Sequence, residues 1–221
     1  NQLEDSSKKD GFATSFLPHD VQKLEGAYVC ALNSTGDGAC LYNSASISLC
    51  GDETLSLELR CRTALEMLTH AETYRRLEPD AQTFDRLVAD VLHPQHWAEQ
   101  LHVLALSNVL LRPIIVYHYH HPSDDAKRSQ HARGAATDAF CCVPYIAFES
   151  ATPVRAHPMV LTWAGPRCNH YAPVVVFATN QSTTTTTMSS LLESIPWPLP
   201  RCYPPRENLP AEKDLPAAEY F

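Results

Sequence analysis

The sequence lacks three patterns, each of which would have indicated a particular class of protein. No apolar run approaches the roughly 18–20 residues that a helix needs to cross a bilayer, and the first residues do not resemble a signal peptide. There is no excess of positive charge, since the formal net charge is -8, and no Cys-x-x-Cys pair occurs. These absences argue against a membrane protein and against sequence-independent binding of nucleic acid, which needs a basic face.

The chain nevertheless contains eight cysteines: Cys30, Cys40, Cys50, Cys61, Cys141, Cys142, Cys168 and Cys202. Their spacing fits neither a zinc ribbon nor a small disulfide-rich scaffold. A domain of this size does not need disulfides to fold, so we expect reduced thiols and an intracellular protein of the cytoplasm, the nucleus or both. No metal or other cofactor is expected.

The composition predicts one globular domain with a flanking segment on each side. With 221 residues, 44% hydrophobic and 19% charged, the chain can bury a core of ordinary size. Residues 1–26 are predicted to be an arm or a short lead-in helix, and residues 27–178 the domain. Residues 179–221, rich in threonine and proline, are predicted to be a linker or a disordered tail. The first residue is Asn rather than Met, so we expect a piece of a longer protein.

Hydrophobic periodicity predicts a strand followed by several helices. AYVCAL (27–32) is a buried strand, and CLYNSASISL is a helix that stops at Gly51. The next segment repeats apolar residues at the spacing of an amphipathic helix: Leu57, Cys61, Ala64, Leu65 and Leu68. Further helices are predicted near 81–92 and 95–111.

The second half of the domain is predicted to be mostly strands. IIVYHY follows Pro113 as a buried strand, and residues 120–143 are polar and are predicted to be a long loop or insertion. YIAFES, PMVLTWA and YAPVVVFA are the three strands predicted after it. A strand, then helices, then strands indicate an α+β domain rather than an alternating doubly wound one.

The stretch STGDGACLYN (34–43) places a single cysteine between a glycine turn and a predicted helix. A helix N-terminus favours the thiolate anion and lowers the pKa of a thiol, so Cys40 is a candidate nucleophile. The glycines allow a tight turn in which the amides around Asp37–Cys40 converge on a developing oxyanion. The alternative is a glycine turn that precedes a merely buried cysteine.

A thiol nucleophile needs a base, and His170 is the best candidate among eleven histidines. It lies in WAGPRCNHYAPVVVF directly before an apolar β run, where a strand would hold its ring rigidly. A structural histidine at a strand end is the alternative. The turn in WAGPRCN also brings Trp163 towards the site, as a substrate-channel residue or as a core residue. His118, His120 and His121 are interpreted as solvated rather than as metal ligands.

Three blocks in this order resemble the ovarian-tumour (OTU) family of cysteine proteases. TGDGACLY resembles the nucleophile motif, NHYAPVV resembles the histidine motif, and LHVLALSNVLLRPIIVY is similar to the helix–strand segment of the branch that includes Trabid and Cezanne. The resemblance covers residues 27 to 178. It implies a papain-like α+β fold with a central sheet flanked by helices, and removal of ubiquitin or a ubiquitin-like modifier from lysines.

The resemblance also implies roles for individual residues. Cys40 is the nucleophile, His170 the general base, and Asp37, Gly38 and Ala39, with the Cys40 amide, form the oxyanion loop. Many OTU enzymes carry Asp or Asn two residues after the histidine to orient it, whereas this chain has Ala172. The candidates for the orienting residue are Asn169, Asp5 and Asp10.

A second resemblance implies a different function. LCGDETLSLELRCRTALEMLTHAETY resembles a stretch of vertnin, a nuclear developmental regulator whose OTU-like region lacks the catalytic cysteine. It implies a non-catalytic module that binds ubiquitin or acts in transcription. Retention of Cys40, His170 and Asp37 favours the enzyme. A cysteine hydrolase of another clan, such as a papain-like peptidase, is the third interpretation.

Overall fold

A computed structural model describes residues 8–24, 27–78, 80–119, 137–142, 144, 158–164, 170–178 and 201–203. The helices in these residues are α1 (Gly11–Thr14), α2 (His19–Gln22), α3 (Cys40–Cys50), α4 (Ser56–Thr69), α5 (Ala71–Leu77), α6 (Ala81–Leu92) and α7 (Gln100–Leu110). The strands are β1 (Lys9–Asp10), β2 (Lys23–Leu24), β3 (Ala27–Leu32), β4 (Ile114–Tyr119), β5 (Thr137–Cys142), β6 (Met159–Ala164), β7 (His170–Ala178) and β8 (Arg201–Tyr203).

The strands form one mixed sheet in the order β1-β3-β7-β6-β4-β5-β8, and β2 also pairs with β3. The β4·β6 and β5·β8 pairs are parallel, and the others are antiparallel. Helix α3 packs against β7, and α4 packs against α3, α6 and α7. A mixed sheet with a block of helices confirms the predicted α+β class.

The pairing of β3 with β7 positions the candidate site. Ala31 lies opposite Val174 in this antiparallel ladder. Continuing the same register past the end of β3 brings the chain at Ser34 beside Tyr171, next to the first residue of β7. The turn that carries the cysteine, after the end of β3, therefore lies beside the start of β7, which carries the histidine.

Most local predictions are confirmed where the structure describes them. The strands at 27–32 and 114–119 and the helices Cys40–Cys50 and Ala81–Leu92 have the expected bounds, and Gly51 ends α3 with φ 93°. Helix α7 begins at Gln100, later than predicted. The predicted loop at 120–143 is wrong at its end, because Thr137–Cys142 form β5 along the edge of β4. The predicted strand YIAFES lies outside the described residues.

The orientation of α4 agrees only in part with its apolar pattern, because Ala64 is buried but the other residues of the predicted stripe are exposed. Leu57, Leu65 and Leu68 are 69%, 64% and 53% exposed, whereas Arg60 and Met67 face the core. A hydrophobic stripe predicts a buried face only if nothing else competes for it. Here a single arginine competes, and its contacts belong to the candidate site described below.

The flanking segments contribute to the sheet. The segment before residue 27 supplies β1, β2, α1 and α2, and buries Ala13, Phe16, Leu17 and Val21. Residues 201–203 of the predicted tail pair with β5. The domain boundaries at 26 and 178 stay predictions, but neither segment is wholly detached from the fold. No helix in the described ranges is both long and apolar enough to span a bilayer.

A small apolar cluster lies where α1 meets the sheet. It consists of Ala13, Phe16, Ala31, Ala164 and Ala172. Ala172, at the position where the family resemblance leads one to expect Asp or Asn, is fully buried in it. The cluster has no partner for a carboxylate, so this position is suited only to a small apolar side chain.

Introducing the missing acid at this position should therefore damage the fold. We expect Ala172→Asp to lower the free energy of unfolding by about 2–4 kcal/mol, because the carboxylate is desolvated without compensation. Ala89→Asp on the exposed face of α6 is the matched control and should cost at most about 1 kcal/mol. Urea unfolding of both variants measures the difference, and equal losses would contradict the apolar assignment.

Candidate active site

The turn between β3 and α3 is stabilised by hydrogen bonds from side chains of the turn itself and of α3. The carboxylate oxygen Oδ1 of Asp37 accepts a hydrogen bond from the Ala39 N–H at 2.9 Å and from Asn43 Nδ2 at 3.1 Å. The same amide nitrogen of buried Asn43 donates to the Thr35 carbonyl at 3.0 Å. Asp37 therefore fixes the conformation of the turn, and it contributes to the candidate site by positioning backbone groups.

Gly38 is required at its position for two reasons. Its φ of 90° is a conformation that L side chains rarely adopt, and a Cβ atom there would lie 2.3 Å from the Gln95 carbonyl oxygen. The turn thus packs directly against the backbone of the loop at 93–97. Sequence reasoning assigned Gly38 to the oxyanion loop but missed this contact with a distant loop.

Arg60 forms hydrogen bonds with the backbone of both the turn and that loop. It is only 4% exposed, and its guanidinium lies 4.6 Å from the centre of the Tyr42 ring. It donates to five backbone carbonyls: Gly38 at 2.9 Å, Asp90 at 3.3 Å, Val91 at 3.1 Å, His93 at 2.7 Å and His96 at 3.2 Å. Buried charge is tolerated only when it is hydrogen-bonded in this way. No sequence signal marks Arg60, because its partners are backbone atoms.

Cys40 is the first residue of α3 and is buried beneath the turn. No side chain caps this helix. Burial raises the pKa of the Cys40 thiol above its ordinary value and outweighs the backbone amides of Tyr171, Leu41 and Cys40 itself, which favour the thiolate. The charge of Asp37 raises this pKa further. The amides at the helix N-terminus lower the thiol pKa as expected, but desolvation is the larger effect and the net shift is upward.

His170 is the first residue of β7 and is partly buried. Its Nε2 lies 3.1 Å from Ser34 Oγ, and its Nδ1 faces Gly36, 3.6 Å from where a Cβ atom would be. Burial lowers the pKa of the imidazole, while the nearby carboxylates of Asp10 and Glu53 and the Ser34 backbone oppose the shift. The backbone amide of Tyr171, the residue after His170 in β7, acts on the Cys40 thiol.

The turn leaves selected amides available for an anion. The Ala39 N–H is already bonded to Asp37, and the Gly38 carbonyl is turned towards Arg60. Among the described residues, the N–H groups of Gly38 and Cys40 make no hydrogen bond to another residue, and the Cys40 amide interacts only with its own sulfur. These two amides, rather than that of Ala39, can stabilise an oxyanion beside the thiol.

The remaining predicted site residues are less closely associated with the cysteine. Trp163 stacks on Tyr171 at 6.0 Å and lies opposite it in the β6·β7 ladder, on the other face of the strands from His170. Its role in a channel stays a prediction. Asp10 lies near His170 but caps α1 through the Ala13 N–H at 2.8 Å. Asp5 and Asn169 lie outside the described residues. No cluster of metal-ligating side chains occurs in the described part of the chain.

Replacement of Arg60 tests its role in holding the turn. We expect Arg60→Met to lower the free energy of unfolding by about 3 kcal/mol or more, because five backbone carbonyls lose a donor and two of these hydrogen bonds are buried. The control is Arg62→Met, two residues along the same helix, whose exposed ion pair with Glu58 contributes about 1 kcal/mol or less. Comparable losses in thermal or urea unfolding would refute the assignment.

The raised thiol pKa predicts the pH dependence of alkylation. The rate at which iodoacetamide modifies Cys40 should keep rising with pH beyond 9.0, because the thiolate of the folded protein forms only above the ordinary thiol pKa. Peptide-resolved mass spectrometry measures this rate, and the same peptide alkylated in denaturant gives the unperturbed reference. A plateau that begins in the acidic range would indicate a thiolate–imidazolium pair and contradict the prediction.

Comparison with known proteins adds three kinds of similarity. The model of the family described as "OTU-like cysteine protease" matches residues 35–150, a little over half of the chain. Vertnin from Bos taurus and from Homo sapiens is 43% identical over 65 residues, which are 29% of this chain and 9% of vertnin. The matched stretch is thus a small part of vertnin.

Solved structures of OTU domains are also similar, at low identity. The OTU domain of OTUD1 has 20% identity and a TM-score of 0.48, and covers 67% of this chain and 85% of its own. The viral OTU domain protease from Dera Ghazi Khan virus has 15% identity and a TM-score of 0.48, with coverage of 70% and 92%. The family match starts inside the cysteine turn and spans the helices that hold it, and by that match the chain belongs to the OTU-like cysteine protease family.

Proposed function

We propose that this protein is a thiol-dependent deubiquitinase that cleaves isopeptide bonds of ubiquitin or ubiquitin-like conjugates through Cys40 and His170. The observation that carries the proposal is the convergence of a cysteine at a helix N-terminus and a histidine at a strand start on one rigid turn. Family membership supports the reaction type. The ubiquitin substrate and the kinship with the Trabid and Cezanne branch rest on the sequence motifs.

The two pKa shifts define the resting state of the pair. Burial raises the pKa of the thiol and lowers that of the imidazole, so near neutral pH both groups are uncharged. His170 is then a free base, and Cys40 keeps its proton until a carbonyl group is bound. The reaction therefore begins with general-base catalysis rather than with a preformed ion pair.

In the first half of the reaction, His170 takes the thiol proton as sulfur attacks the isopeptide carbonyl. The negative charge moves to the carbonyl oxygen, where the amides of Gly38 and Cys40 donate to it. When the carbonyl re-forms, the C–N bond breaks and the imidazolium gives its proton to the leaving lysine amine. Asp10 and Glu53 favour the transient imidazolium, because both carboxylates raise the pKa of His170.

In the second half, water hydrolyses the acyl-enzyme. His170, neutral again, removes a proton from the water, whose oxygen adds to the thioester carbonyl. The collapse of this intermediate releases the carboxylate of the modifier and returns the proton to Cys40. The turn and its amides serve both halves without rearrangement, because Arg60 and Asn43 hold its backbone.

A ubiquitin whose C-terminus carries an electrophile tests the proposal. The wild-type chain should form a covalent adduct, detected as a gain in intact mass. Cys40→Ala should abolish the adduct, and His170→Ala should slow it strongly because the thiol loses its base. Cys61→Ala, which removes an exposed cysteine of α4, is the control and should react like wild type.

The rival function is a non-catalytic module that binds ubiquitin, which the vertnin similarity and the buried, protonated thiol favour. It predicts that unmodified ubiquitin perturbs the NMR spectrum of the protein while no probe adduct forms and no di-ubiquitin is cleaved. Cleavage of an unfolded peptide but not of ubiquitin would instead point to a peptidase of another kind.

A further inference from the structure

Among the described residues, no carboxylate forms a hydrogen bond or ion pair with the His170 ring. The position two residues along β7 is Ala172, which is fully buried among apolar side chains. The Asp10 carboxylate uses its Oδ1 to cap α1 and, within the described residues, makes no hydrogen bond or ion pair with His170. The ring must therefore be oriented by a group of another chemical type.

Ser34 occupies that place. Its hydroxyl oxygen is 3.1 Å from His170 Nε2, and it donates to the Tyr171 carbonyl at 2.6 Å. Ser44, on α3, donates to the same carbonyl at 2.9 Å and lies 3.2 Å from Ser34 Oγ. Two hydroxyl groups and one carbonyl thus form a small network beneath the imidazole.

The distances in this network, rather than the number of protons, select the tautomer of His170, since Ser44 alone can satisfy the Tyr171 carbonyl. A carbonyl oxygen can only accept, and a serine hydroxyl has a single proton to donate. The shorter contact of Ser34 is with the carbonyl, so its proton lies there and its lone pairs face the ring. Nε2 must then be the donor, which leaves Nδ1 of the neutral ring without a proton and able to act as a base.

We propose that Ser34 is the positioning residue of His170, and that its hydroxyl group takes the place of the missing carboxylate or amide by fixing the Nε2–H tautomer. Only the effect of Ser34 on catalysis rests on the proposed function. The tautomer itself is a property of the folded protein and holds whether or not the protein cleaves ubiquitin.

A hydroxyl group differs from a carboxylate in what it does for the ring. It fixes orientation and tautomer without adding a negative charge beside the imidazole. Charge is supplied separately by Asp10 and Glu53, and Glu53 is itself tied to the turn by accepting from the Thr35 N–H at 2.7 Å. In this protein the Ser34 hydroxyl group orients the His170 ring. The carboxylates of Asp10 and Glu53, which lie farther away, provide the electrostatic support.

The test is the tautomer of His170, measured by long-range ¹H–¹⁵N NMR of protein labelled with ¹⁵N in histidine. His170→Gln identifies the ring signals among those of the eleven histidines. Wild type above pH 7 should show a protonated Nε2 and a bare Nδ1. A wild-type ring protonated on Nδ1 overturns the proposal, and this result requires no substitution of Ser34 and no enzymatic activity.

Two substitutions of Ser34 and one of Ser44 separate positioning from packing. Ser34→Ala should give a mixture of tautomers, and Ser34→Thr, which keeps a hydroxyl group, should restore the Nε2–H form. Ser44→Ala is the matched control, because it removes a bond to the Tyr171 carbonyl but none to His170. An unchanged tautomer in folded Ser34→Ala would contradict the proposal.

If the protein is active on a ubiquitin substrate, the same variants separate kcat from KM. We expect Ser34→Ala to lower kcat by roughly 10- to 100-fold, as for the loss of one hydrogen bond to a group that becomes charged, with KM little changed. Ser34→Thr should recover most of this loss, and a kcat that Ser34→Ala leaves intact would overturn the positioning role. An inactive wild type with the Nε2–H tautomer would refute the proposed function while leaving the role of Ser34 in place.

Discussion

The antiparallel pairing of β3 with β7 is the constraint on which the rest of the site depends. It joins two segments that are far apart in the sequence, and its register carries the chain from Ala31 to Ser34 alongside Tyr171. A shift of one residue would turn His170 to the other face of the sheet. The apolar side chains that fix this register therefore also fix the relation between the candidate nucleophile and its base.

Around that pairing, the side chains that stabilise the site donate mainly to backbone carbonyls rather than to other side chains. Arg60 gathers carbonyls from the turn and from the loop at 93–97, and Ser34 and Ser44 share the carbonyl of Tyr171. Such contacts fix the direction of each peptide group, which decides which amides remain available for an oxyanion. Burial of the two side chains raises the pKa of the thiol and lowers that of the imidazole.

The sequence was sufficient for features that depend on local pattern. The strand at 27–32 and the helix from Cys40 to Cys50 follow from periodicity and turn residues. The sequence was insufficient where a side chain forms its hydrogen bonds with backbone groups that are distant in the sequence. The burial of Arg60 in α4 was not predicted because its acceptors lie in residues 38 and 90–96. The net rise in the thiol pKa was not predicted because burial is a tertiary property. Ser34 was missed because a serine in a glycine turn has no signature of its own.

The central claim is that Cys40 forms a covalent intermediate with the C-terminus of ubiquitin or a ubiquitin-like modifier. The most direct measurement is intact mass after the protein is mixed with excess ubiquitin carrying a C-terminal amide-linked fluorophore and quenched in acid within the first turnover. The account predicts a species heavier by one ubiquitin less one water, carried by the peptide that contains Cys40 and released by hydroxylamine as a thioester. Turnover of this substrate, or its binding, without that species would contradict the account.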